Sequence, residues 1–154
     1  MSENKITQII CAVRGGPESR ATVTRAIDLA LETGAHLTFF LVLNAEFMNH
    51  ATIGPLSVVY NELIEMGKFT MIILCDRAKR RGVQQVDYIV REGNVRKQLR
   101  ELAIETHAQV MVMGRPTRSP GTNVFKAGEI DDFADELEKI GHIQVIQVTP
   151  EGIS

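Results

Sequence analysis

Two cysteines, Cys11 and Cys75, are all the thiol chemistry the sequence has. Neither belongs to a CxxC pair or stands at zinc spacing from a histidine, so buried thiols in a reducing compartment are expected. Long apolar runs are missing too. Nothing approaches the roughly 18–20 residues that a membrane-crossing helix needs, and the opening MSENKITQ has no apolar stretch of the signal-peptide kind. The expectation is a soluble, cytoplasmic protein without a membrane partner. Charge of one sign is also lacking: a formal net charge of −2 argues against nonspecific nucleic-acid binding as the main task. His36, His50, His107 and His142 are scattered, with no cysteine or carboxylate at ligand spacing, so no metal site is expected. There is no GxSxG and no identifiable acid/base pair of carboxylates, and no catalytic residue is assigned.

What is present suits one domain over residues 1–154, with 44% hydrophobic residues to build a core. Ile6–Val13 (ITQIICAV) is a β-branched run ended by Arg14-Gly15-Gly16, the pattern of a buried strand. Pro17 can open a helix, with Ala21, Ile27, Ala30 and Leu31 as its apolar stripe and Gly34 as its C′ residue. His36–Leu43 (HLTFFLVL) reads as a second strand, and Asn44–Pro55 as an irregular connection. Leu56–Arg81 reads as one long helix, with Leu56, Val59, Leu63, Met66, Thr70, Ile73, Leu74 and Ala78 at helical steps. Gly67 inside it counts as a blemish of about 1 kcal/mol relative to alanine.

The pattern then repeats. Val86–Val90 is a strand, Arg91-Glu92-Gly93 a turn, and Asn94 the N-cap of a helix carrying Leu99, Leu102 and Ala103. Gln109–Met113 is a fourth strand. Ile130, Phe133, Ala134, Leu137 and Ile140 mark a last helix, stopped by Gly141, and Ile143–Val148 is the final strand. Five strands alternating with four helices predict a parallel, doubly wound α/β fold with helices on both faces of the sheet. Ligands in such sheets bind outside the carboxyl ends of the strands, where strand order reverses. The candidate loops are therefore Arg14–Glu18 and Gly114–Gly128, the latter inside the glycine-rich stretch MGRPTRSPGTNVFKAGEIDD.

Several segments in this order resemble the universal stress protein family. They are IICAVRGGPES, GAHLTFFLVL, the long helix ending AKRRGV, REGNVRKQLRELAIETHAQVMVMG and the closing IQVIQV. The resemblance implies a five-stranded parallel sheet of Rossmann-like, adenine-nucleotide-alpha-hydrolase-like type. It also implies action in stress response and a homodimer, often paired through the last strands, here Ile143, Val145, Ile146 and Val148. One subfamily binds ATP and one does not. The ATP-binding motif is a glycine, two residues, a second glycine, nine residues, then glycine followed by serine or threonine. Gly114 matches its first position. Thr117 stands at the second, and Ala127 precedes a displaced Gly128 with no hydroxyl after it. Arg14, after Val13, replaces the acidic adenosine contact, and Val42 stands where the base is often touched. The resemblance thus implies a degenerate nucleotide site, with ATP or AMP as the nucleotides to consider.

Glu129, Asp131 and Asp132 crowd the start of the last helix, where they favour the dipole by about 0.3–1 kcal/mol each and repel a polyphosphate. Arg14, Arg115 and Arg118 could instead hold ATP or another anion; otherwise they are solvated loop cations. Arg14–Ser19 (RGGPES) also resembles the SGGxDS phosphate loop of the ATP pyrophosphatases, without its leading serine. A weak nucleotide hydrolase is the reading it would support; a strand-to-helix turn is the simpler one. The basic run Arg77–Arg81 lacks interleaved aromatics and suits a helix end better than a nucleic-acid patch.

Overall fold

A computed structural model describes residues 5–13, 19–44, 55–114 and 129–149. The elements are β1 (Gln8–Val13), α1 (Ser19–Thr33), β2 (His36–Asn44), α2 (Pro55–Arg81), β3 (Val86–Gly93), α3 (Val95–Thr106), β4 (Val110–Gly114), α4 (Glu129–Gly141) and β5 (Gln144–Val148). The five strands form one parallel sheet in the order β3-β2-β1-β4-β5. The alternating pattern therefore produces the expected doubly wound fold.

Two apolar layers fill the space between helices and sheet. On one face α1 (Val23, Ala26, Ile27, Ala30) and α2 (Met71, Leu74, Cys75, Ala78) pack over Ile9, Cys11, Leu37, Phe39 and Val112. On the other, α3 (Leu99, Leu102, Ala103) and α4 (Ile130, Phe133, Leu137) pack over Ile10, Phe40, Met111 and Met113. Alternate residues of one strand serve opposite layers, which is why the central strands are apolar throughout. A clamp ties α3 to α4: Glu136 accepts from Arg96 at 2.9 Å and from Arg100 at 2.7 Å. These two hydrogen bonds, Arg100 first, hold the Glu136 carboxyl below its ordinary pKa. Arg96 also lies over the Phe133 ring, 5.6 Å from its centroid.

Several boundaries differ from the sequence expectation, each for a physical reason. Gln109 Oε1 accepts from the backbone N–H of Thr7 (3.0 Å) and of Gln8 (2.9 Å), so a side chain does what a strand would do and β1 starts at Gln8 rather than Ile6. Arg91-Glu92-Gly93 is not a turn. β2 is nine residues long, and the pairing Val42↔Arg91, Leu43↔Glu92, Asn44↔Gly93 carries β3 through all three. The last helix includes Gly141, and the left-handed residue that ends it is His142 at φ 55°. Its N–H donates to the Glu138 carbonyl at 2.9 Å. The Asn94 cap and the Gly34 C′ residue occur as expected: Asn94 Oδ1 accepts from Lys97 N at 2.9 Å, and Gly34 sits at φ 73°.

The long helix differs from the sequence expectation in two respects. Its buried face is Met71, Leu74, Cys75 and Ala78, whereas Leu63, Met66 and Ile73 point to solvent. Leu31 of α1 likewise faces outward. Gly67 also has a packing role that its helix-propensity cost does not reveal, because a Cβ there would come within 2.8 Å of Leu41 Cδ2 and push that side chain aside. The glycine lets α2 approach β2.

The two sheet edges differ in character. β3 carries Asp87, Arg91 and Glu92, the kind of charge that guards an edge. β5 (QVIQV) carries none. Its Ile146 and Val148 lean toward the α1–α2 layer and Val145 toward the α3–α4 layer. Ile143, expected on this edge, precedes β5 and is 2% exposed, part of the α3–α4 core.

Candidate functional site

Strand order reverses between β1 and β4, since β2 follows β1 on one side while β4 and β5 lie on the other. β1 and β4 pair with Cys11 opposite Val112. The ladder ends at that pair, and Val13 and Gly114, each two residues further on, are the last residues of β1 and β4 at the carboxyl ends. These two expected site residues come together where this architecture keeps its ligands. Val42, next to Leu41 that pairs with Val13, reaches the same end of the sheet but faces the other way. It lies on β2, and its side chain packs against the α3–α4 layer, whereas Val13 points into the α1–α2 layer. Arg14, Arg115, Thr117 and Gly128 lie outside the described residues, as do Arg118 and the loop Gly15–Glu18.

Gly114 has a local explanation. A Cβ on it would stand 3.2 Å from Thr22 Oγ1. Thr22 occupies the first turns of α1 and is 2% exposed. The missing side chain lets α1 seat against the end of β4, a packing role for glycine at a helix–strand crossing. Nothing in the pattern around Thr22 announces this contact, because a threonine near a helix start is ordinary.

One of the acids entering α4 is already engaged. Asp131 Oδ1 accepts from Gln147 Nε2 at 3.0 Å, and Asp132 is exposed in the same first turn. Gln147 lies opposite Met113 on β4, and its buried Oε1 has no hydrogen-bond partner among the described residues. This acceptor near the carboxyl end of the sheet was not singled out from sequence, where glutamine in a strand carries no signal.

Arg91, Arg96 and Arg100 are paired with carboxylates. Arg91 Nη1 donates to Glu105 at 2.7 Å and its guanidinium lies 5.9 Å from the Phe40 centroid. Arg96 and Arg100 share Glu136. A groove of about 470 Å³ opens beyond the ends of β2 and β3, between Leu43, Ile64, Lys68, Arg91 and Gln98. A larger one, about 590 Å³, lies at the amino ends beside His107 and His142. Its size does not make it the site, because the crossover geometry directs helix N-termini and loops to the other end.

The thiols are inert in place. Burial pushes Cys11 up to about 12, and burial also raises Cys75. Among the described residues no group of three His, Cys, Asp or Glu side chains could hold a metal. No helix among them is long and apolar enough to cross a membrane.

Comparison with known proteins gives the same architecture. Residues 5–129 match the model of the universal stress protein family. No curated protein matches the chain. Among solved structures, a universal stress family protein from Burkholderia pseudomallei is similar with a TM-score of 0.67 at 20% identity, over 94% of this chain and 96% of that one. The universal stress protein UspA from Lactobacillus plantarum gives a TM-score of 0.72 at 17% identity, over 94% and 98%. A universal stress protein from Archaeoglobus fulgidus, solved in complex with dAMP, gives 0.60 at 13% identity, over 93% and 98%. At these identities the structural likeness is one of fold.

Proposed function

Because the chain belongs to the universal stress protein family, we propose that it is a non-catalytic, single-domain cytoplasmic homodimer acting in stress response by binding a partner or small ligand. Its switch-point crevice is then a degenerate nucleotide site. The contact between Gly114 and Thr22 carries this reading. Gly114 is the one position that fits the ATP-binding pattern, and packing against Thr22 offers an account of it without a ligand. The start of α4 adds to the argument, since Asp131 and Asp132 stand where a polyphosphate would seek free N–H groups.

Isothermal titration with ATP and AMP tests the reading. No low-micromolar heat is expected with ATP. Low-micromolar binding that disappears in Arg115→Ala would overturn it. The same reading expects no pyrophosphate or phosphate release from ATP with magnesium; release abolished by Gly16→Ala and Glu18→Ala would establish a hydrolase instead.

A second reading, an ATP-, AMP- or other anion-binding regulatory module built on Arg14, Val13 and the Gly114–Gly128 loop, is favoured by Gln147 Oε1, which no described residue engages and which lies opposite Met113, the residue before Gly114. A nucleotide could donate to that acceptor through an amino or ribose group. The relative solved with dAMP makes AMP the first nucleotide to try. Native mass spectrometry of the freshly purified protein separates the two readings by the presence or absence of a co-purifying nucleotide. The dimer is supported by the uncharged β5 edge, with Val145, Ile146 and Val148 on it. A strict monomer near 17.1 kDa in light scattering at high concentration would refute it.

A further inference from the structure

α2 is apolar on two sides. Its inner side is buried, yet Val58 is 62% exposed, Met66 63% and Phe69 65%, with Leu63, Ile72 and Ile73 also turned outward. Single exposed apolar residues are ordinary, but six on one helix are not. Within this face one stripe is ordered: Glu62, Met66, Phe69, Ile73 and Arg77 follow at steps of four, three, four and four residues. That is the spacing of a helix–helix seam. An acid closes one end and a base the other, and neither forms an ion pair among the described residues. The neighbouring Arg80 is already engaged with Asp76 at 2.9 Å.

From this stripe we propose that the outer face of α2 is a homotypic interface, its occupant the α2 of a second copy packed antiparallel across a two-fold axis. Charge complementarity selects that occupant and that direction. With the axis midway between Phe69 and Thr70, Glu62 of each copy faces Arg77 of the other. Met66 faces Ile73, and the two Phe69 rings meet beside the axis. A parallel arrangement would oppose Glu62 to Glu62 and Arg77 to Arg77. The seam spans roughly 22 Å of helix at 1.5 Å per residue. Met66, Phe69 and Ile73 supply the apolar centre of the seam, with Leu63 and Ile72 on its opposite flanks, so the contact belongs to the small class of specific interfaces.

This contact is separate from pairing at β5 and does not depend on it. The two fail independently, because a change on α2 removes only one of them. Where both operate, two isologous contacts on one chain give closed tetramers or open chains.

Light scattering coupled to size exclusion, over a range of protein concentrations, tests the proposal. Glu62→Arg and Arg77→Glu, each alone, should reduce the particle mass at least twofold, and Phe69→Asp should do the same. All three side chains are exposed, so circular dichroism should report an unchanged fold. The decisive sample is the double reversal Glu62→Arg/Arg77→Glu, which restores both opposed pairs and should recover the wild-type mass. A mass unmoved by the single reversals and by Phe69→Asp would overturn the proposal. A mass lowered by the single reversals yet not recovered in the double variant would also overturn it.

Discussion

Replacing Gly114 by alanine probes the contact on which the reading of the crevice rests. The new methyl would stand 3.2 Å from Thr22 Oγ1, a few tenths of an ångström too close. Thr22 is short, β-branched and buried against the α1–α2 layer, so it has no free end to swing away. Overpacking of this kind costs about 1–3 kcal/mol. Gly114 is not among the residues with positive φ, so alanine fits the backbone there. It should then recover about 0.4–1 kcal/mol through the unfolded chain. The balance is a loss of about 1 kcal/mol, or roughly 0.5 M in the urea midpoint at a slope near 2 kcal/mol/M. In a Thr22→Ala background the obstructing atom is gone and only the favourable term remains. There Gly114→Ala should stabilise by about 0.5 kcal/mol. The sign change is the signature, read by urea unfolding of all four members of the cycle. Additivity within about 0.5 kcal/mol would mean that the two residues do not meet. Gly114 would then need another explanation, and a ligand approaching its backbone would be the natural one.

Three further outcomes follow from the packing. Phe133→Ala should lose about 3–5 kcal/mol in urea unfolding, because a fully buried ring leaves a cavity between α4 and the sheet. Glu136→Gln should lose about 1 kcal/mol at pH 7, the scale of a half-exposed charge-assisted clamp. Since the folded Glu136 carboxyl is depressed, its contribution is present above the ordinary glutamate pKa and disappears as pH falls through the folded value. The variant should therefore show a flatter acid limb than wild type between pH 7 and pH 3. Cys11 should resist Ellman's reagent at pH 8 in the folded protein and react once urea unfolds it. With its pKa raised from 9.0 to about 12, folding stability should decline as pH climbs across that interval, and Cys11→Ala should remove that component.

Periodicity made most of the architecture readable. Runs such as ITQIICAV and QVMVM are short, β-branched or apolar, and lie at the distances that crossover helices require. Local signals fail where a tertiary partner overrides them. Arg91-Glu92-Gly93 has turn composition, but β2 offers three more residues of ladder and draws it into the sheet. α2 has apolar residues on both sides, so helical spacing alone could not say which side meets the core. Gly67 reads as a defect until Leu41 is known to lie under it. Left-handed closure of α3 and α4 falls on His107 and His142, residues with only a modest preference for that conformation. At the site, strand order pointed to the loops that begin at Arg14 and Gly114, and the family resemblance added Val13 and matched Gly114 to the motif's first glycine. Their neighbours Thr22 and Gln147 depend on how α1 and β5 meet β4, which no short-range pattern records.

The unequal edges of the sheet limit how many chains can join through backbone hydrogen bonds. A further strand meets Asp87, Arg91 and Glu92 at one border and uncharged QVIQV at the other. If a second molecule adds at the uncharged border, the ten-stranded product presents β3 at both extremities. Strand addition then ends at two chains, so this edge supplies stoichiometry without inviting fibrils.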